Sequence, residues 1–177
     1  MDGKNHFKVY NFCKLLVLFV YLKVEITERK NGQKWKADIN PVAEKDYKQI
    51  TQKRYFFNWK EEQKYQVLKL SLKDKDDILG LMSLELIPAE FRIRISLLAL
   101  SAENVGRAGR YEGIAGCLIA YACRLAVSQF GEKACVSLVP KTKLRQYYIN
   151  EYGMLTAGNS LYLADEPLLQ ILSKYHL

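Results

Sequence analysis

Three apolar segments set close together, at residues 65–72 (YQVLKLSL), 78–87 (ILGLMSLELI) and 91–100 (FRIRISLLAL), constrain this chain more than any other feature. Each alternates or runs apolar, as strands do when one or both faces are buried. The separators, residues 73–77 and 88–90, are too short for a crossover, so the three strands are expected to run antiparallel as a meander. The period then changes. Between residues 113 and 130 apolar side chains recur at Ile114, Leu118, Ile119, Ala122, Leu125 and Ala126, the stripe of a helix packed on a sheet, with Gly131 at its end. A short buried strand at 134–139, a helix over 143–152 closed by Gly153, a last strand at 161–163 and a terminal helix over 168–175 complete the pattern.

Upstream the signals are weaker. Residues 24–27 continue an extended pattern up to Asn31-Gly32, a turn pair suited to a hairpin. Residues 42–65 space Tyr47, Ile50, Tyr55, Phe56 and Trp59 near the helical period, which predicts one or two helices after Pro41 with this aromatic stripe as core, or else as a stacking surface for nucleic acid with Lys53, Arg54 and Lys60. The run from Leu15 to Leu22 is far short of the roughly 20 apolar residues that span a bilayer. Lys23-Val24-Glu25-Ile26 stands where an export cleavage site would need small residues, so the run is expected to be a buried element, with no membrane association and a cytoplasmic location. Residues 1–177 read as one α+β domain, with 1–22 as an N-terminal extension and no repeat or linker.

Composition narrows the chemistry. At 49% hydrophobic and 26% charged over 177 residues, the chain can bury a core, which excludes collagen-like, low-complexity and disordered classes. A formal charge of +8 points to an anionic partner, whether phosphate, nucleic acid or an acidic membrane surface. Cys13, Cys117, Cys123 and Cys135 form no CxxC pair and are expected reduced and mostly buried. His6 and His176, at opposite ends, argue against a histidine-dependent hydrolase or a histidine metal centre.

The segment Arg110-Tyr111-Glu112-Gly113-Ile114-Ala115 leads from the last meander strand into the helix. A glycine turn that opens a helix presents unpaired N–H groups and the positive end of the helix dipole, which is what a pyrophosphate requires. Arg110 adds charge and paired donors. Gly-Lys-Ser/Thr does not follow, so this is no Walker loop, and an antiparallel meander before it excludes the dinucleotide fingerprint.

With Arg110, Gly113 and Ala115 matching [Gln/Arg]-x-x-Gly-x-[Gly/Ala], residues 95–154 resemble the core of the GCN5-related N-acetyltransferases. The strand at 134–139 and the helix end Tyr147-Tyr148-Ile149-Asn150-Glu151-Tyr152-Gly153-Met154 resemble the elements that follow in that family. The resemblance implies an α/β/α sandwich. Its mixed, mostly antiparallel central sheet would be flanked by helices, with a V-shaped cleft between the family's fourth and fifth strands, here 91–100 and 134–139. It implies acetyl-CoA as cofactor, with the pantetheine on backbone groups of Leu98 and Leu100. The pyrophosphate would lie on N–H groups of Tyr111, Glu112, Gly113, Ile114, Ala115 and Gly116, beside Arg110.

The implied reaction is direct acetyl transfer to an amine acceptor, a small molecule or a protein amine. A backbone N–H would stabilise the oxyanion and a tyrosine would protonate the CoA thiolate. Tyr148 is the expected acid, with Tyr147 one residue away, and Glu103 the expected base ahead of Glu85. Two features depart from the family: the loop 101–109 is longer, and Lys141 stands where many members carry Asn. A CoA-binding or partner-binding module without turnover is a second reading. An acetyltransferase toxin acting on aminoacyl-tRNA is a third, so nucleic acid is admitted but not favoured. Monomer and homodimer are both compatible.

Overall fold

The computed structural model describes residues 22–176 apart from 74 and 76, so the apolar run ending at Leu22 and Cys13 lie, but for Leu22, outside the described residues. Among the described residues nine strands make one sheet: β1 (Leu22–Glu28), β2 (Lys34–Pro41), β3 (Gln66–Leu72), β4 (Ile78–Ile87), β5 (Arg92–Leu100), β6 (Tyr111–Glu112), β7 (Cys135–Leu138), β8 (Leu155–Ala157) and β9 (Ser160–Ala164). Their order is β6-β1-β2-β3-β4-β5-β7-β9-β8. Only β5 and β7 pair parallel. All other neighbours are antiparallel, including the expected meander β3-β4-β5.

Asn31-Gly32 does make the hairpin turn: Gly32 adopts φ +70 and its N–H bonds to Glu28 O at 2.9 Å. Sequence reading stopped before the returning strand, β2, although Trp35, Ala37 and Ile39 alternate there with Lys36 and Asp38. It also passed over β6 and β8, which at two and three residues carry no periodicity.

Alternation along the meander separates two cores. Leu68, Leu70, Leu79, Met82, Ile93 and Ile95 face a large cluster completed by α2 (Ile114–Phe130), α3 (Arg145–Tyr152) and α4 (Asp165–Lys174). Val67, Ile78, Leu81 and Ala99 face a smaller one with Ile50, Tyr55 and Trp59. Helical layers on both faces make this the expected sandwich. Eleven of the 17 residues of α2 are buried, and the stretch 114–133 is long and apolar enough by composition to cross a membrane. Its packing on β5, β4, β7 and α4 accounts for that apolarity in the fold.

The layer over the smaller cluster corrects one expectation. Residues 42–65 form no continuous helix but a 3₁₀ turn at Glu44–Lys48, the single-turn α1 (Gln52–Tyr55) and a second 3₁₀ turn at Trp59–Lys64. Phe56 ends α1 in the left-handed region at φ 67, which a helix cannot continue through. What holds these short pieces is anchoring to the sheet. Lys69 Nζ reaches Asp46 Oδ1 at 2.7 Å, and the Tyr55 hydroxyl donates to Ile78 O at 2.6 Å.

Candidate cofactor cleft

β5 and β7 stay paired only from Arg92↔Cys135 to Ile95↔Leu138, whereas β5 continues along β4 to Leu100. Beyond Ile95 no described strand covers that edge of β5, so the sheet splits into a V. A bulge sits at the divergence: Leu84 opposes Ile95 and Ser83 opposes Leu97, leaving Ser96 as the extra residue. Past the bulge, Ser101 N–H bonds to Leu79 O at 2.9 Å. Ser101, Ala99 and Leu97 therefore turn their backbone toward β4, and by alternation Leu98 and Leu100 turn N–H and C=O toward the open edge.

The first turn of α2 starts beside that edge. A Cβ built on Gly80 of β4 would meet Ile114 Cγ2 at 2.8 Å, Leu118 Cδ1 at 3.2 Å and Leu100 Cδ2 at 3.3 Å, so the absence of a side chain at Gly80 lets the helix start seat against the end of β5. Gly113 caps the helix at φ +89 with open space around it, a backbone state that strongly favours glycine. The first helical bond runs from Cys117 N–H to Gly113 O at 2.8 Å. The N–H groups of Ile114, Ala115 and Gly116 thus have no helical acceptor and lie at the positive end of a 17-residue helix.

The long link between β5 and α2 folds around Asn104. Its side-chain amide donates to Ser101 Oγ at 2.8 Å and its Oδ1 accepts from Tyr111 N–H at 3.0 Å. Gly109 lies so near that a Cβ would stand 2.5 Å from Asn104 O. This corrects the expectation for Tyr111, whose N–H is taken by Asn104. Glu112, in the two-residue ladder of β6 with β1, ion-pairs with Arg29 at 3.2 Å. The Arg110 guanidinium turns to Glu28 on β1, with Nε to Oε1 at 3.0 Å.

At the far side of the V, α3 supplies a tyrosine cluster. Tyr148 is buried among core residues and Tyr147 is half exposed; the Tyr147 and Tyr152 hydroxyls lie 3.4 Å apart. Burial, then the neighbouring Tyr147, push the Tyr148 phenol up to about 12, so it is protonated at neutral pH.

Tyr175, just past α4, reaches across: a Cβ on Gly116 would fall 1.9 Å from its hydroxyl. Lys174 fastens the same segment to α3 through Glu151 Oε1 at 2.8 Å. Gly116 is therefore small because a tyrosine covers it.

The two carboxylates expected as bases are both ion-paired. Glu103, at the end of β5, accepts from Arg54 Nε at 2.8 Å, and Arg54 also reaches Asp77 Oδ1 at 2.6 Å. Partial burial raises the Glu103 carboxyl, but the Arg54 hydrogen bonds outweigh it and hold it below the ordinary carboxylate value. Glu85 is paired with Arg94. Lys141 lies over the Phe57 ring at 4.5 Å, and Arg145 donates to Gly158 O and Asn159 O of the β8–β9 turn. Asn104 and Tyr175 belong to no periodic or spaced pattern that would mark them in the sequence, and Arg54, expected beside aromatic rings, instead holds Glu103 and Asp77.

No protein-family model and no curated protein matches the chain. Solved structures do share its architecture. A GNAT-family acetyltransferase from Listeria monocytogenes aligns at 11% identity with a TM-score of 0.51, over 78% of this chain and 96% of its own. A mutant of the toxin AtaT, bound to the C-terminus of the antitoxin AtaR, aligns at 11% identity with a TM-score of 0.50, over 77% of this chain and 98% of its own. Identity this low speaks to architecture, and together with the split sheet and the helix that starts beside it, the comparison assigns this chain the fold of the GCN5-related N-acetyltransferases.

Proposed function

We propose that this chain is an acetyl-CoA-dependent N-acetyltransferase that moves an acetyl group directly to an amine acceptor. The observation that carries the reading is the open edge of β5 beyond Ile95, which leads to the uncapped first turn of α2. A cofactor that joins an amide-containing arm to a pyrophosphate needs both: extended backbone to pair with, and N–H groups at a helix start. Acetyl-CoA supplies the activated acetyl thioester when bound. Leu98 and Leu100 would bind the arm, and Gly113, Ile114, Ala115 and Gly116 would hold the pyrophosphate, with Arg110 and Glu112 at the rim of the turn.

Tyr148 holds its proton at Oη and gives it to the leaving sulfur. Glu103, kept ionised by Arg54, receives the proton that the acceptor nitrogen releases, through water at the end of β5. A carboxylate held below its ordinary value is a weak base toward a free ammonium, so the acceptor is expected to arrive as the neutral amine.

Calorimetry with CoA tests the reading. Micromolar to low-millimolar binding is expected for the unaltered chain. Gly113→Glu, which places a carboxylate at the phosphate turn, is expected to abolish it. No heat at millimolar CoA overturns the proposal. Release of free CoA across a panel of small amines and peptides then separates an acetyltransferase from a binding module, since a module binds CoA and releases none.

A further inference from the structure

We infer that a groove between the end of β1 and the loop after β5 is a binding site for a phosphomonoester, separate from the first turn of α2. It is lined by Glu28, Arg29, Lys30, Arg107, Ala108, Gly109 and Arg110, of which Arg110 alone also borders that turn. Four cations converge here from two segments about eighty positions apart in sequence, brought together by Arg29 N–H bonding to Arg110 O at 2.9 Å. Two are neutralised inside the fold: Arg110 by Glu28 and Arg29 by Glu112. Lys30 and Arg107 form no ion pair among the described residues, and both are exposed. Two exposed cations without a described ion pair thus border one groove, and a bound anion would face both.

Backbone donors point to the same ligand. In the loop Gly106 adopts φ +75, Gly109 N–H closes onto Gly106 O at 3.2 Å, and Arg110 N–H goes to Glu103 O at 3.1 Å. The N–H groups of Arg107 and Ala108, at the crown of this turn, and of Lys30 opposite them donate to no backbone carbonyl among the described residues. N–H groups without a described backbone acceptor, beside two cations without a described ion pair, match a compact dianion. The cations meet at one place and do not follow a stripe, which suits a single phosphate ester better than the repeating charge of a polynucleotide.

Amide-resolved NMR titration of the full chain with inorganic phosphate tests the site. Saturable shifts at Lys30, Arg107 and Ala108 are expected. Arg107→Ala and Lys30→Ala should each weaken binding about tenfold, the loss of one charge-assisted contact, while Lys60→Ala, an exposed lysine on the opposite layer, should leave it unchanged. Neither Arg107 nor Lys30 holds another described side chain, so both variants are expected to fold. Shifts that never saturate, or that spread equally over all surface lysines, overturn the inference.

CoA and dephospho-CoA, which lacks the ribose phosphate, then identify the source. If Arg107→Ala weakens CoA alone, the ester is the cofactor's. If it weakens neither while phosphate still binds, the ester belongs to a different small molecule. A short RNA that binds through Lys30 and Arg107, and that phosphate does not displace, overturns the monoester assignment. Because phosphate itself is the first probe, the result stands or falls separately from CoA binding.

Discussion

The contact between Gly116 and Tyr175 makes a prediction whose sign depends on the background in which it is measured. A methyl group at Gly116 would lie 1.9 Å from the Tyr175 hydroxyl, 2.0 Å from Cζ and 2.6 Å from Cε1. Helix α2 is fixed against the sheet, so in Gly116→Ala the ring at the chain end must swing out. Returning roughly 100 Å2 of ring surface to water at about 25 cal/mol per Å2 costs about 2.5 kcal/mol. Alanine in place of glycine in a helix recovers at most about 1 kcal/mol. Gly116→Ala alone is therefore expected to destabilise by about 1–2 kcal/mol. In a Tyr175→Ala background the obstruction is gone and only the helical gain remains, so the same change is expected to stabilise by up to about 1 kcal/mol.

Urea unfolding of the four proteins, followed by circular dichroism, gives a coupling energy of about 2–3 kcal/mol on this reasoning. Effects that add to within about 0.5 kcal/mol would refute it and mean that Tyr175 does not cover the first turn of α2 in solution. The cycle bears on function as well, since the ring rests on the turn proposed to hold the pyrophosphate.

Tyr148→Phe keeps the buried ring and removes only the hydroxyl, so acetyl transfer measured by CoA release should fall about 100-fold or more while CoA affinity is retained; unchanged turnover would reassign the acid. Gly113→Ala meets no atom within 4 Å but keeps φ at +89, so its cost is backbone strain alone, about 1–2 kcal/mol in a denaturation midpoint shift. Arg54→Ala frees Glu103, whose folded-state value lies below its unfolded one. The stability this pairing contributes is complete above the unfolded carboxylate value and is lost as pH falls through the folded one. The difference in stability between the unaltered chain and Arg54→Ala should accordingly be full at pH 7 and shrink below pH of about 4. A difference constant with pH would place the effect of Arg54 in packing.

Much of the fold was legible because its decisive signals are local. The meander shows in three apolar segments with short links, and α2 in the change of period after Gly113. The turn proposed to hold phosphate shows because a strand end, a glycine and a helix start occupy six consecutive residues. The region 42–65 misled for a physical reason: Tyr47, Ile50, Tyr55 and Trp59 keep the helical period, but the pieces that carry them are held from outside, Asp46 by Lys69, Tyr55 by Ile78 and Arg54 by Asp77, and Phe56 breaks the helix between them. Periodicity reports which face is buried; it does not report whether backbone bonds run unbroken beneath it.

The site divides along the same line. The start of α2 follows from chain order, whereas Leu98 and Leu100 came from the family resemblance and turn to the open edge through the register set by the bulge at Ser96. The state of their neighbours does not follow from chain order. Glu103 is ionised and engaged because Arg54, 49 positions earlier, reaches it, and Tyr111 has lost its N–H to an asparagine seven residues back. Gly116 is crowded by a tyrosine beyond the last helix. The helix start in this cleft is thus prescribed by sequence, while the availability of neighbouring N–H groups and the charge and accessibility of each side chain are set by tertiary contacts. Substitutions at Arg54, Asn104 and Tyr175 should therefore alter the cleft's chemistry as much as substitutions in the motif itself.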